Sequence, residues 1–239
     1  MHNMHEHKQI LTISQAKFDK SKGQGYIVAG LQLAPSTTSG RANLCPCASD
    51  GCATACIAFC GKNRFEESFQ ARQWRTDLYL DDPTRFKQRV SAEISHLQGR
   101  AWKQGKLLAI RLNTLSDIPW ERVWPQVFEA FPFTQFYDYT KIIGRMGKTP
   151  SNYHLTFSRA EDNDDRVQRA LEGLHNVAVV FRGKLPETWR GRPVIDGDAD
   201  DLRFLDPIGC VVGLKAKGPA VKDFGSGFVV DVQEVAFSV

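Results

Sequence analysis

Apolar residues along the chain fall into eight short runs: 26–33, 107–112, 134–138, 153–157, 177–181, 193–195, 208–214 and 228–232. Each has the length and the β-branched or aromatic content of a strand. Helical spacing separates several of them. Arg64 to Leu80 sets Phe65, Phe69, Trp74, Leu78 and Tyr79 among charges, and Pro83 to Leu97 opens on Asp82-Pro83, a cap followed by proline at the first helical position. Trp120 to Phe131 and Asn163 to Leu174 read the same way, the second with Val167, Ala170, Leu171 and Leu174 on one face.

Strands interleaved with helices predict a parallel sheet. For 239 residues the leading architecture is α/β, a TIM-like (β/α)8 barrel, with a doubly wound open sheet as the alternative. From Pro193 onward the connections are too short for full helices, so the barrel is expected to be irregular in its C-terminal third. No Gly/Ser or Pro-rich linker interrupts the chain. Residues 1–239 read as one domain, with 1–20 as a flexible or loosely docked N-terminal segment.

Composition alters this picture little: 42% hydrophobic, 24% charged and a formal charge of +4 describe an ordinary globular chain. There is no concentrated basic stripe, so nucleic acid is not indicated as a partner. No apolar run has signal-peptide or membrane-span length, which leads us to expect a soluble cytoplasmic protein without membrane contact. His2, His5 and His7 read as a solvated terminus.

The cysteines change the picture most. Five of six, Cys45, Cys47, Cys52, Cys56 and Cys60, lie within one segment directly after the first expected strand. In a reducing compartment such thiols are metal ligands before they are disulfide partners. No Cys-x2-Cys knuckle is present, which disfavours zinc and leaves it as the alternative to an iron–sulfur cluster, whose larger [4Fe–4S] core tolerates the wider spacing. Ser49 or Asp50 could cap a short helix through Ala53 to Phe59 that ends at Gly61. On it Cys52, Cys56 and Cys60 would share a face, neighbours about 6 Å apart and the outer pair about 12 Å. The expected ligands are therefore Cys45, Cys52 and Cys56, with Cys60 or Cys47 as the alternative fourth. Cys210, inside an expected strand, reads as packing.

Barrel sites gather where strands end, so the segment should sit at the mouth beside residues from the other strand ends. Asp117, Tyr139 and Lys141 are the candidates for proton transfer or substrate grip. Asn113, Arg159, Arg182 and Lys215 are the candidates for cofactor binding, in a rim that also carries Lys184 and Lys217 and suits a small anionic ligand. Asp196 to Asp201 reads as a solvated acidic turn, and His96 and His154 as structural. No Walker loop or Gly-x-Ser-x-Gly elbow occurs, and Gly23-Gln-Gly25 precedes a strand where a dinucleotide fingerprint would follow one.

A cysteine loop after the first barrel strand resembles the radical S-adenosylmethionine enzymes in architecture. Their Cys-x3-Cys-x2-Cys motif is absent, so S-adenosylmethionine is not expected as a cofactor. Leu33-Ala-Pro35, Ser39-Gly40, Cys45-Pro46, Ala48-Ser49, Gly51-Cys52, Cys56 and Arg64, followed by Arg111-Leu-Asn113, Ser116-Asp117-Ile118 and Tyr137 to Lys141, resemble a phage-encoded family known as gene product eighty-eight. The resemblance implies a viral origin and retention of the equivalents of Cys45, Cys52 and Cys56. It implies no established reaction.

Overall fold

A computed structural model describes residues 9–13 and 21–232. His2, His5 and His7 and most of the segment 1–20 lie outside the described residues. The described strands are β1 (Leu11–Thr12), β2 (Tyr26–Leu31), β3 (Leu107–Arg111), β4 (Thr134–Thr140), β5 (Tyr153–Ser158) and β6 (Val177–Arg182). They continue with β7 (Thr188–Trp189), β8 (Arg192–Asp196), β9 (Val211–Lys215) and β10 (Val230–Asp231). The described α-helices are α1 (Asp50–Thr54), α2 (Glu66–Asp81), α3 (Pro83–Lys103), α4 (Trp120–Val123), α5 (Gln126–Ala130) and α6 (Asp164–Glu172).

Neighbouring strands run in the order β1-β2-β3-β4-β5-β6-β9-β8-β7. All pairs from β2 to β8 are parallel, and the two outer pairs are antiparallel. This corrects the barrel expectation: the sheet is open. Closure would require β2 to pair with the far edge, but β1 takes the free edge of β2 and β7 takes that of β8. The last apolar run also fails to close it, because β10 pairs with Phe181 and Arg182 of β6. The open-sheet alternative is closer to the observed topology, though among the described residues the helices α2, α3 and α6 pack into one core on one face.

Strand alternation assigns the two faces. Leu108, Ile110, Phe136, Tyr153, Phe157, Val177, Val179 and Val211 point to one side and form a single core with Phe86, Val90 and Ile94 of α3 and Val167 and Leu171 of α6. The opposite face carries Val28, Ala109 and Tyr137, and the β8–β9 connection covers it with Leu202 and Phe204. Phe204 meets Tyr26 and Tyr137 edge to face, with centroids 5.2 and 5.4 Å apart. The acidic turn is solvated only in part: Asp196 is exposed, whereas Asp198 and Asp201 are buried. Asp201 is fully buried, accepts the Tyr137 hydroxyl at 2.9 Å and pairs with Arg111 at 3.1 Å.

The helices keep most of their expected positions. Asp82 caps α3 by accepting the Arg85 amide at 2.9 Å. The helix expected over 120–131 divides into α4 and α5 around Pro125, which has no amide proton to give. At the N-terminus Ile10 and Leu11 are buried, and their amides donate to Glu93 of α3.

Candidate functional site

One cavity of 380 Å³ opens where the parallel strands end. Its wall combines the segment after β2 (Pro35 to Thr38, then Cys45, Cys52 and Cys56) with residues following β3, β4, β5 and β9. Of the five clustered cysteines, Cys45, Cys52 and Cys56 line it and Cys47 and Cys60 do not.

Local structure differs from the expected helix. Ser49 caps α1 by accepting the Cys52 amide at 3.1 Å, but α1 ends at Thr54 and Cys56 is extended, with φ −58° and ψ 133°. Cys52 and Cys56 therefore reach the cavity across a bend, and the shared helical face does not exist. Cys60 turns away. Its sulfur lies 3.7 Å from the Lys217 carbonyl, and a Cβ added at Gly218, where φ is +55°, would meet it at 2.2 Å.

The segment is clamped from the sheet side. Glu161 accepts the Ser49 hydroxyl and the Gly51 amide, each at 2.7 Å. Cys45 receives the Ser36 amide on its sulfur at 3.2 Å and lies 3.4 Å from the Leu115 carbonyl. Burial pushes the Cys45 thiol up to about 11, with Cys56, Asp117 and Cys52 adding to the rise and the Ser36 amide opposing it. Burial also raises Cys56; the Ala58 backbone opposes the rise, Cys52 and Cys60 add to it, and Lys141 opposes it. These influences place Cys45, Cys52 and Cys56 in one electrostatic neighbourhood that also reaches Cys60. Among the described residues no three His, Cys, Asp or Glu side chains converge closely enough to hold a single ion.

Behind the loop, Arg72 of α2 is buried, and one of its terminal nitrogens donates to the Asn63 carbonyl at 2.9 Å while its Nε has no partner. Burial lowers its pKa, and Cys56 is the ionisable group that pulls it back up.

The remaining candidates divide by what they touch. Asn113 organises the loop after β3: its Nδ2 donates to the Ile118 carbonyl, and its Oδ1 accepts Ser116, the Ile118 amide and Trp120. Asp117 pairs with Arg145 at 2.8 Å and accepts the Lys141 amide at 2.8 Å, so both its oxygens are engaged. The Tyr139 ring lies under the Arg111 guanidinium at 4.9 Å, and its buried hydroxyl has no partner. Burial raises that hydroxyl's pKa, opposed by Arg203. Lys141 and Lys215 line the cavity. Arg159 and Arg182 do not: they hold the backbone carbonyls of Gly227, Phe228, Val221 and Asp223, pinning the segment that carries Phe228 to the cavity wall.

The sequence reading missed a buried polar network beneath the site. Arg145 joins Asp117, Glu121, Thr140 and the Tyr153 hydroxyl, and that hydroxyl donates to Asp138 at 2.8 Å. Burial pushes the Asp138 carboxyl up to about 7, against the pull of Arg111 and of the Asn113 amide. His154 lies in β5 without a ligand set, and burial depresses it to about 4. Cys210 is fully buried against Ala178 and Val212.

Among the described residues no helix is long and apolar enough to cross a membrane. No curated protein and no solved structure matches the chain. The model of one family does match, that of Gene product 88, over residues 8–231. The chain therefore belongs to this phage-encoded family of unknown function.

Proposed function

We propose that the cavity is a metal centre in which Cys45, Cys52 and Cys56 hold an iron–sulfur cluster, in the first instance [4Fe–4S], within the reducing cytoplasm of the phage's host. The observation that carries this is the sorting of the thiols: three of five line one cavity, and Cys47 and Cys60 are not on its wall. The donor set is all sulfur. A cluster asks less convergence of its thiolates than one zinc ion does, because each binds a different iron.

Two further features suit an anionic occupant. The Ser36 amide on Cys45 stabilises a thiolate, as amide donors to cluster sulfurs do. Arg72 is a buried cation beside Cys56, and buried charge calls for an opposite charge. With three protein ligands, such a cluster supplies electron transfer and one iron accessible to another ligand.

Anaerobic purification followed by iron, zinc and acid-labile sulfide analysis, with paramagnetic resonance of the reduced sample, tests the reading. Iron with matching sulfide, lost on Cys45→Ala, Cys52→Ala or Cys56→Ala and kept on Cys47→Ala and Cys60→Ala, is the expected result. Stoichiometric zinc without sulfide overturns it.

A second reading is a metal-fastened module that docks on a host protein. The exposed Ile57, Phe59, Phe65 and Phe69 around the cysteine segment favour it. The nucleic-acid version has less support, since Arg159 and Arg182 of the expected basic rim are spent on this chain's own carbonyls. If each cysteine variant unfolds the protein outright, the structural role is the better account.

A further inference from the structure

Lys141 brings to the cavity an ammonium that lies in the field of Cys56 and that no carboxylate of the described residues pairs with. Its amide is fixed by Asp117, its ammonium touches the Ser158 hydroxyl at 3.1 Å, and among the described residues no carboxylate lies within ion-pair distance of it. The other cations lining the cavity are committed: Arg111 to Asp201 at 3.1 Å, Lys217 to Asp198 at 2.6 Å and Lys215 to Asp196 at 3.9 Å. Thr114 also lines the cavity, is 7% exposed, and its hydroxyl has no hydrogen-bond partner. Much of the remaining wall is apolar, from Leu115, Val180, Leu214, Ala220 and Phe228, with Phe59 at the opening.

Charge balance narrows what such a space can take. A phosphate ester brings about −1.5 to −2 and would leave excess charge in an apolar surrounding. A carboxylate brings one charge for one ammonium, and an apolar body fits the wall, the usual division of labour in a small-molecule site. We infer that this cavity binds a small organic monocarboxylate, its carboxylate held by Lys141 with Ser158 beside it, its body against Val180, Leu214 and Phe228, and Thr114 free to meet a polar substituent. The inference rests on the reading of this cavity as the working site, and not on which metal the cysteines hold.

The test uses phenylacetate, 3-phenylpropionate and 4-phenylbutyrate against their primary amides. Binding is followed by calorimetry and saturation-transfer NMR on the full chain, metal-free and anaerobically loaded, with iron, zinc and sulfide measured on each sample. At least one acid should bind, its amide at least tenfold more weakly. Lys141→Met should reduce acid affinity at least tenfold to the amide level while metal content is kept, and Lys141→Arg should retain the acid preference. Equal binding of acids and amides, no acid binding in either form, or a Lys141→Met protein that loses its metal yet binds acids as before would each overturn the inference. Lys141-dependent acid binding by protein that takes up no cluster would leave the inference standing and sink the cluster reading, whereas a full cluster without acid binding does the reverse.

Discussion

Glu161, three residues beyond the end of β5, holds both the hydroxyl of Ser49 and the amide of Gly51 at 2.7 Å, so one carboxylate fixes the start of the cysteine segment to the sheet. Gly51 has no room for a side chain there. A Cβ would stand 2.6 Å from Ser226 Oγ, 2.7 Å from Glu161 Oε1 and 2.8 Å from Phe228 Cβ. Gly51→Ala is expected to cost about 1–3 kcal/mol, the range of overpacked sites, read as a lower urea midpoint. It should also quicken maleimide labelling of Cys52 in the metal-free protein, because the clamp must open to admit the methyl.

Arg72 gives a prediction in which two readouts move in opposite directions. In the metal-free protein it is a buried cation with no carboxylate partner among the described residues, so Arg72→Met should raise stability against urea. The same change removes the positive neighbour of Cys56 and should weaken metal retention, with faster iron loss to a chelator. Arg72→Lys should hold the metal better than Arg72→Met. A methionine variant that retains iron as well as the parent would remove Arg72 from the account of the site.

Arg145 is a different case, because its charge is matched. It is fully buried between Asp117 and Glu121, at 2.8 and 2.9 Å. Arg145→Met strands both carboxylates and should cost about 3–5 kcal/mol, the usual penalty for breaking a buried pair from one side. Denaturant unfolding of the metal-free protein measures it, and a loss under 1 kcal/mol, the ceiling for exposed pairs at about that value, would contradict the burial argument.

Asp138 should make stability fall with rising pH. Its folded carboxyl titrates near 7 and its unfolded one near the ordinary value of about 4. Between those values the folded state binds a proton that the unfolded state has lost, so the contribution is full below about 4 and disappears as pH climbs through about 7. Asp206, raised to about 6, acts in the same direction, and His154, depressed to about 4, acts in the opposite one. The difference between parent and Asp138→Asn, followed by urea midpoints at pH 5 and pH 8, isolates the term. The parent should lose more stability over that interval than the variant does.

What the sequence discloses about this fold is local. The runs over 107–112 and 153–157 are strands within one residue of their expected bounds, because a buried parallel strand must be apolar nearly throughout. Pro125 already marks the break between α4 and α5, although the surrounding apolar spacing looks continuous. Sheet closure is not local: it depends on which edges find partners, and the pairing of Leu11 with Leu31 leaves no trace in the run over 26–33. The same holds at the site. Three cysteine ligand candidates follow from spacing, yet the bend that ends α1 before Cys56 and the partners of Arg145 do not. Arg111 meets Asp201 across 90 positions, and no periodicity reports such a pair.

The segment from Asp200 to Phe204 lies across the inner face of β2, β3 and β4, where a closed barrel would have its opposite wall. Arg111 stands between that segment and the cavity, held by Asp201 on one side and lining the cavity on the other. The depth of the cavity is thus governed by a connection, and not by strand number and tilt as in a cylinder. Substitutions in 200–204 reach the cavity through Arg111 and can reshape it while every strand keeps its register.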